Sequence, residues 1–337
     1  MVGATRHLAE VEGTGAVKDR LKNWLRPHVV SVLSDIAARP SAAGAKGLAA
    51  DPFTEERIRY LLNEVSDMRI ALRELTSPKA GSQAEQAQTK ESFSHQWAEI
   101  TEGAHLLGDS AFEATMLELI SKYTDFPKTW FPGKRVLDAG CGMGRWSYAF
   151  VKLGANVTAV DQSGSGVGHL NKLLANESRF KAQQADLLNL LPFGREYDLV
   201  WCYGVTHHTG NTRLATENVA ACVKPGGRIM LMIYGEPQKM HEFTEINTYV
   251  EHRRVTENLS FADKEKYLSA RYPKELVHGF FDAISPKIND LHRFGEIETW
   301  LKGWGFTNVR RTLDNRNIHL VADLPARDIP ETDGVCQ

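Results

Sequence analysis

The sequence predicts an α/β fold, a doubly wound and mostly parallel sheet carrying a helical extension at its N-terminal side. Three observations lead there. Lys134 to Trp146 reads as a buried strand running straight into a glycine turn that opens a helix. From that turn onward, strand-like and helix-like segments alternate, the pattern of a sheet covered by helices on both faces. In roughly the first ninety residues, by contrast, apolar positions recur at helical spacing.

The N-terminal region, 1–90, begins with Val17 to Ala38. There Trp24, Leu25, Val29, Val32, Leu33 and Ile36 form one apolar set, with Pro27 a kink or break. Asp51-Pro52 marks a new helix start. Over Phe53 to Leu75, residues Ile58, Leu61, Val65, Met68, Leu72 and Leu75 alternate three and four apart, as in a coiled-coil seam. Such a seam serves either a homodimer or packing within the chain. Pro78 to Gln88 reads as a polar linker, and after it Phe93 and Trp97 fall on one helical face.

The core is expected over 91–234. Val136, Leu137 and Ala139 are the apolar strand; Gly140, Cys141, Gly142, Met143 and Gly144 are the turn; Arg145 to Leu153 is the helix. A dinucleotide fingerprint, G-x-G-x-x-G, would put its third glycine where Arg145 stands, so the spacing argues against a nicotinamide dinucleotide. Asn156 to Val160 is a second strand, and it ends in Asp161, about twenty residues past the turn, where a carboxylate can accept from both hydroxyls of a ribose. Tyr197 to Tyr203 and Lys224 to Tyr234 are further strands. An insertion, 235–293, follows. The segment 294–337 supplies a helix from Gly295 to Trp304, an antiparallel pair from Gly305 and Arg316 onward, and a loose tail from Pro325.

Composition narrows the function. With 337 residues, 42% of them hydrophobic, the chain can bury one large core and a smaller unit. Its net charge of -2 offers no general attraction to polyphosphate, so a nucleic-acid partner is not expected, and Arg253-Arg254 and Arg310-Arg311 read as solvated faces. No apolar run approaches the roughly 20 residues of a membrane span and no signal segment is seen, which points to a cytoplasmic protein without a membrane partner. Cys141, Cys202, Cys222 and Cys336 lie too far apart for a zinc or iron–sulfur site, so no metal is expected and radical chemistry is excluded.

The run Asp138-x-Gly140-x-Gly142-x-Gly144 resembles motif I of the class I S-adenosylmethionine (SAM) dependent methyltransferases. Gln183-Gln-Ala-Asp186-Leu187 resembles that family's adenine loop, Gly204-Val-Thr-His-His-Thr its loop beside the methyl donor, and Pro225-Gly-Gly its turn before the fifth strand. The resemblance covers roughly Gly133 to Tyr234. It implies a Rossmann-like sheet of seven strands and SAM as the cofactor. It also implies cofactor-binding roles for Asp138, Gly140, Cys141, Gly142, Gly144, Asp161, Gln162, Asp186, Leu187 and Tyr203, with Trp97 folding over the ligand.

SAM is already activated, so such an enzyme must align the reacting atoms, exclude water and remove a proton from a hydroxyl acceptor. His207 and His208, directly after the fourth strand, are the expected catalytic pair. Tyr234, His241, Glu245, His278 and His292, in or beside the insertion, are candidates for binding the acceptor, with Tyr249 and Asp282 near them. O-methylation of a small polar acceptor, a sugar or secondary metabolite, is the leading expectation. The alternatives are N- or S-methylation of a metabolite, tRNA modification on the same fold, and a SAM-binding scaffold without turnover.

Overall fold

The computed structural model describes residues 82–99, 108–189 and 192–326. The chain divides into two compact units, Met1–Arg57 and Ile58–Gln337, and all described residues belong to the second. The two expected N-terminal helices, the seam from Ile58 to Leu75 and the end of the tail lie outside the described residues.

Helix α1, Gln83–Glu99, takes in the last part of the stretch expected to be linker. Its buried residues are Thr89, Ser92 and Gln96, three and four apart. The face is helical in period but polar, so no apolar stripe announces it. Helix α2, Ser110–Thr124, starts at Asp109, whose side chain accepts from the N–H groups of Ala111 and Phe112.

The Rossmann-like core then alternates: β1 Arg135–Ala139, α3 Arg145–Lys152, β2 Asn156–Asp161, α4 Gly164–Leu173, β3 Phe180–Gln184, β4 Tyr197–Tyr203, α5 Thr212–Ala220 and β5 Val223–Ile233. The insertion folds into α6 Met240–Thr256, α7 Phe261–Ser269 and α8 Lys274–Ile284. Closing the chain are α9 Phe294–Gly303, β6 Thr307–Arg311 and β7 Ile318–Asp323.

The seven strands lie in the order β3-β2-β1-β4-β5-β7-β6. β1 to β5 pair in parallel, while β7 runs antiparallel to both β5 and β6. Both faces of the sheet are covered. On one, Val200, Cys202, Ile229 and Leu231 pack with Val219, Ile297 and Leu301; on the other, Leu199, Trp201 and Met230 pack with Ile120, Phe150 and Leu170. Each such side chain, fully buried, contributes about 1.5–3 kcal/mol. The strand order reverses between β1 and β4, and the crevice at the carboxyl ends of those strands is where an open α/β sheet binds its ligand.

One of the two basic pairs departs from expectation. Arg254 is exposed beside Glu251, but Arg253 turns inward, its Nε donating to the Ala283 carbonyl. Among the described residues no helix is long and apolar enough to cross a membrane.

Candidate active site

A cavity opens at the β1/β4 crevice. Its floor is the turn between β1 and α3, where Gly140, Gly142 and Gly144 all adopt positive φ, at 85°, 52° and 88°. A Cβ would also collide at all three: on Gly144 it would lie 1.9 Å from the Leu170 side chain, on Gly140 2.2 Å from the Val205 side chain, and on Gly142 2.9 Å from the Trp97 ring. The turn is tied to the end of β2, since Gly140 N and Cys141 N both donate to the Val160 carbonyl.

Asp161, the last residue of β2, accepts from Gly142 N–H at 2.9 Å through one oxygen and from Ser163 N–H at 2.7 Å through the other. Burial raises its pKa above the ordinary carboxyl value, and the two N–H donors pull it back. Each oxygen retains acceptor capacity toward a ligand in the cavity. Gln162, exposed Asp186 and buried Leu187 continue the wall toward α1, and Tyr203 closes it from β4.

Asp138 is placed differently from the other expected cofactor residues. It lies behind the cavity wall, 1% exposed, with its carboxylate accepting from Ser147 Oγ at 2.6 Å. Burial pushes its pKa up to about 7.

Helix α1 forms the roof. Phe93 and Trp97 stack at 6.5 Å, the Phe93 ring meets the His208 ring edge-on at 4.9 Å, and Trp97 lies 5.3 Å from the His278 ring. The Gln96 amide nitrogen sits 3.1 Å from His278 Nε2.

The two adjacent histidines part company. His207 is fully buried, does not line the cavity, and packs its ring between Tyr234 at 4.1 Å and His208 at 4.2 Å. Among the described residues neither of its ring nitrogens has a hydrogen-bond partner, and burial holds its pKa well below the ordinary imidazole value. His208 does line the cavity. Its Nδ1 lies 3.0 Å from the Ile288 carbonyl, and a carbonyl can only accept, so Nδ1 carries the proton in the neutral ring. Nε2 is then the bare nitrogen, without a hydrogen-bond partner among the described residues and 4.0 Å from Asp282 Oδ1. Burial lowers the His208 pKa while the Asp282 charge opposes the shift.

Of the acceptor candidates, His278 and its α8 neighbour Asp282 reach this cavity. Tyr234 stands behind, its hydroxyl donating to Asp282 Oδ2 at 2.5 Å. Tyr234 and Glu245 instead line a second cavity on the far side of α8, where Glu245 pairs with Arg316 and accepts from the Tyr249 hydroxyl. His241 is exposed on α6 and lines neither cavity. His292 is buried with Nδ1 on Glu296 at 2.9 Å and also lines neither. Sequence reasoning missed Arg145, whose guanidinium lies 5.0 Å over the Trp146 ring at the cavity wall. Its place directly after the glycine turn was a signal that could have found it.

Residues 136–227 match the protein family described as methyltransferase domain. The chain contains a class I SAM-dependent methyltransferase domain. The methyltransferase domain is similar to the ubiquinone biosynthesis O-methyltransferase of Dechloromonas aromatica, at 34% identity over 118 residues, which is 34% of this chain and 50% of that protein. The protein of the same name from Coxiella burnetii is 32% identical over 113 residues, 33% of this chain and 48% of its own. The chain thus spans about half the length of the relatives it matches. A solved magnesium protoporphyrin IX methyltransferase from Synechocystis aligns over 67% of this chain and 87% of its own, with 18% identity and a TM-score of 0.41. A likeness that loose carries no argument about this site.

Proposed function

We propose that the protein binds SAM in the β1/β4 crevice and transfers its methyl group to a hydroxyl of a small polar acceptor, a sugar or another metabolite. The observation that carries this is His208, a buried imidazole that borders the cavity, with Nε2 unpaired among the described residues while its other nitrogen is held by a main-chain carbonyl. The residues fit the cofactor. The glycine turn offers backbone where a Cβ would collide, Asp161 and Asp186 offer acceptors for ribose and adenine, and Trp97 covers the turn. Bound SAM would supply a methyl carbon made electrophilic by the sulfonium. The protein's own work is to orient the acceptor between Phe93, His278 and Asp282, to exclude water under α1, and to take the hydroxyl proton on His208 Nε2. Asp282 would then face the imidazolium and stabilise it.

The test is a pair of substitutions, with methyl transfer followed over a panel of hydroxylated acceptors. His208→Gln should lower the rate by about 10²–10⁴ with SAM affinity retained, whereas His207→Leu should leave most of the rate. Because burial lowers the His208 pKa, the neutral base forms at lower pH than for a free imidazole: activity should be lost, as pH falls, through a midpoint below 6.5. A full rate in His208→Gln would remove the base assignment. An N-methyl acceptor remains the second reading, favoured by the Asp282 carboxylate and the aromatic rings lining the cavity, which also suit an amine. Transfer to amines but not to hydroxyls would establish it.

A further inference from the structure

Helix α1 reaches the site by two routes. One is the pair of rings over the cavity. The other runs through the main chain that follows α8. Gln88 Nε2 donates to the Ser285 carbonyl at 2.9 Å, and Gln88 Oε1 accepts from Lys287 N–H at 2.7 Å. Thr89 Oγ1, on a side chain 2% exposed, accepts from Ile288 N–H at 3.1 Å. Ile288 is the residue whose carbonyl takes the proton of His208 Nδ1. It is therefore held from both sides, at its N–H by α1 and at its carbonyl by the histidine.

Two acceptors compete for the single proton of the neutral His208 ring. The Ile288 carbonyl, 3.0 Å from Nδ1, favours the tautomer that leaves Nε2 bare; the Asp282 carboxylate, 4.0 Å from Nε2, favours the tautomer that protonates it. Only the first leaves Nε2 a free lone pair with which to take a proton. The other charged groups near the ring are Arg253 from α6 and Asp290 from the loop after α8, with neutral His207 beside it in its own turn and Phe93 above it from α1. None of these supplies Nδ1 with an acceptor, so the position of the Ile288 carbonyl decides the outcome.

We propose that Thr89, together with Gln88, is a positioning residue for the base: by fixing the main chain at Ile288 it holds His208 in the tautomer that keeps Nε2 unprotonated. This rests on the reading of His208 as the base. Docking of α1 then does more than roof the cavity, because the contacts that seat the helix also set the chemistry of the ring beneath it. A chain in which α1 is unseated would leave the Ile288 carbonyl able to turn away and the proton able to move to Nε2, toward Asp282.

The experiment is long-range proton–nitrogen correlation spectroscopy of the full chain labelled with ¹⁵N-histidine, above neutral pH and with S-adenosylhomocysteine added. The His208 signals are identified by their disappearance in His208→Gln. The wild type should show the proton on Nδ1. Thr89→Val, which removes the acceptor oxygen at nearly constant shape, and Gln88→Ala should each lose that pattern, with the proton moving to Nε2 or exchanging between the nitrogens. Thr89→Ser should restore it. A wild-type ring protonated at Nε2, or variants that keep the Nδ1 proton, would overturn the proposal. Should Thr89→Val not fold, Gln88→Ala decides, since its side chain is partly exposed and fills no core position. The base assignment fails separately: methyl transfer persisting in His208→Gln would remove it and leave the tautomer result standing.

Discussion

Asp161 and Asp138 are two buried carboxyls near the glycine turn, and their surroundings set them apart. Asp161 accepts two backbone N–H bonds and borders the cavity; Asp138 is held by Ser147 and lies behind the wall. Asp161→Ala should weaken SAM binding by about 1.5–3 kcal/mol, the range for a hydrogen bond to a charged group. It should also lower the melting temperature, because Gly142 N–H and Ser163 N–H lose their acceptor. Calorimetry giving equal affinities for wild type and variant would refute the ribose assignment. Asp138 makes a different prediction. Its folded pKa of about 7 exceeds the ordinary 3.8, so the folded state holds its proton more tightly than the unfolded state does. That contribution is fully present below 3.8 and is lost as pH rises to about 7, an effect on the order of 4 kcal/mol. Asp138→Asn, neutral at every pH, should therefore gain stability relative to wild type as pH rises from about 4 to about 7. Denaturant titrations at several pH values will show this, and a constant difference would exclude it. The buried histidines act in the opposite sense: their lowered pKa values give stability that is present above 6.5 and lost as pH falls.

At the scale of elements, Arg228 joins three of them. Its Nε and Nη2 grip the Asp323 carboxylate on β7 at 2.6 and 3.1 Å, and its Nη1 donates to the carbonyl of Thr124 at the end of α2. Lysine can supply the charge but not this fork, so Arg228→Lys should destabilise the fold by about 1–2 kcal/mol, discounted for the partial exposure of Asp323, with SAM affinity unchanged. Thermal unfolding beside calorimetry measures both; an unaltered melting temperature would show the fork to be idle. β1, β2, β4 and β5 were legible because buried parallel strands are largely apolar runs and the glycine turn has one conformational purpose, whereas β3, half-exposed Phe180–Gln184, carries no such run and was not read as a strand. Helix α1 was only partly legible. Its rings were visible as a pair, but it docks through Gln88, Thr89 and Gln96, polar side chains that look like solvated linker in a sequence. The histidine pair was legible as a pair, yet nothing in two identical adjacent residues tells which ring meets the cavity. That depends on Ile288, eighty residues away.

For the whole molecule, self-association is a proposal drawn from residues outside the described structure. If Ile58 to Leu75 forms a seam between two copies, Val65→Glu with Leu72→Glu should turn a dimer into a monomer in light scattering while leaving SAM affinity intact. A wild type that is monomeric at every concentration would leave only packing within the chain. The contacts of Gln88 and Thr89 with Lys287 and Ile288, each spanning 199 positions, bear on how the protein is made. At the usual pace of about 5–20 residues per second, α1 leaves the ribosome roughly 10–40 seconds before the segment it grips. Through that interval Gln88 and Thr89 lack their main-chain partners and His208 lacks the carbonyl that holds its Nδ1, so the seating of α1 and the setting of that ring are late events in the making of the chain.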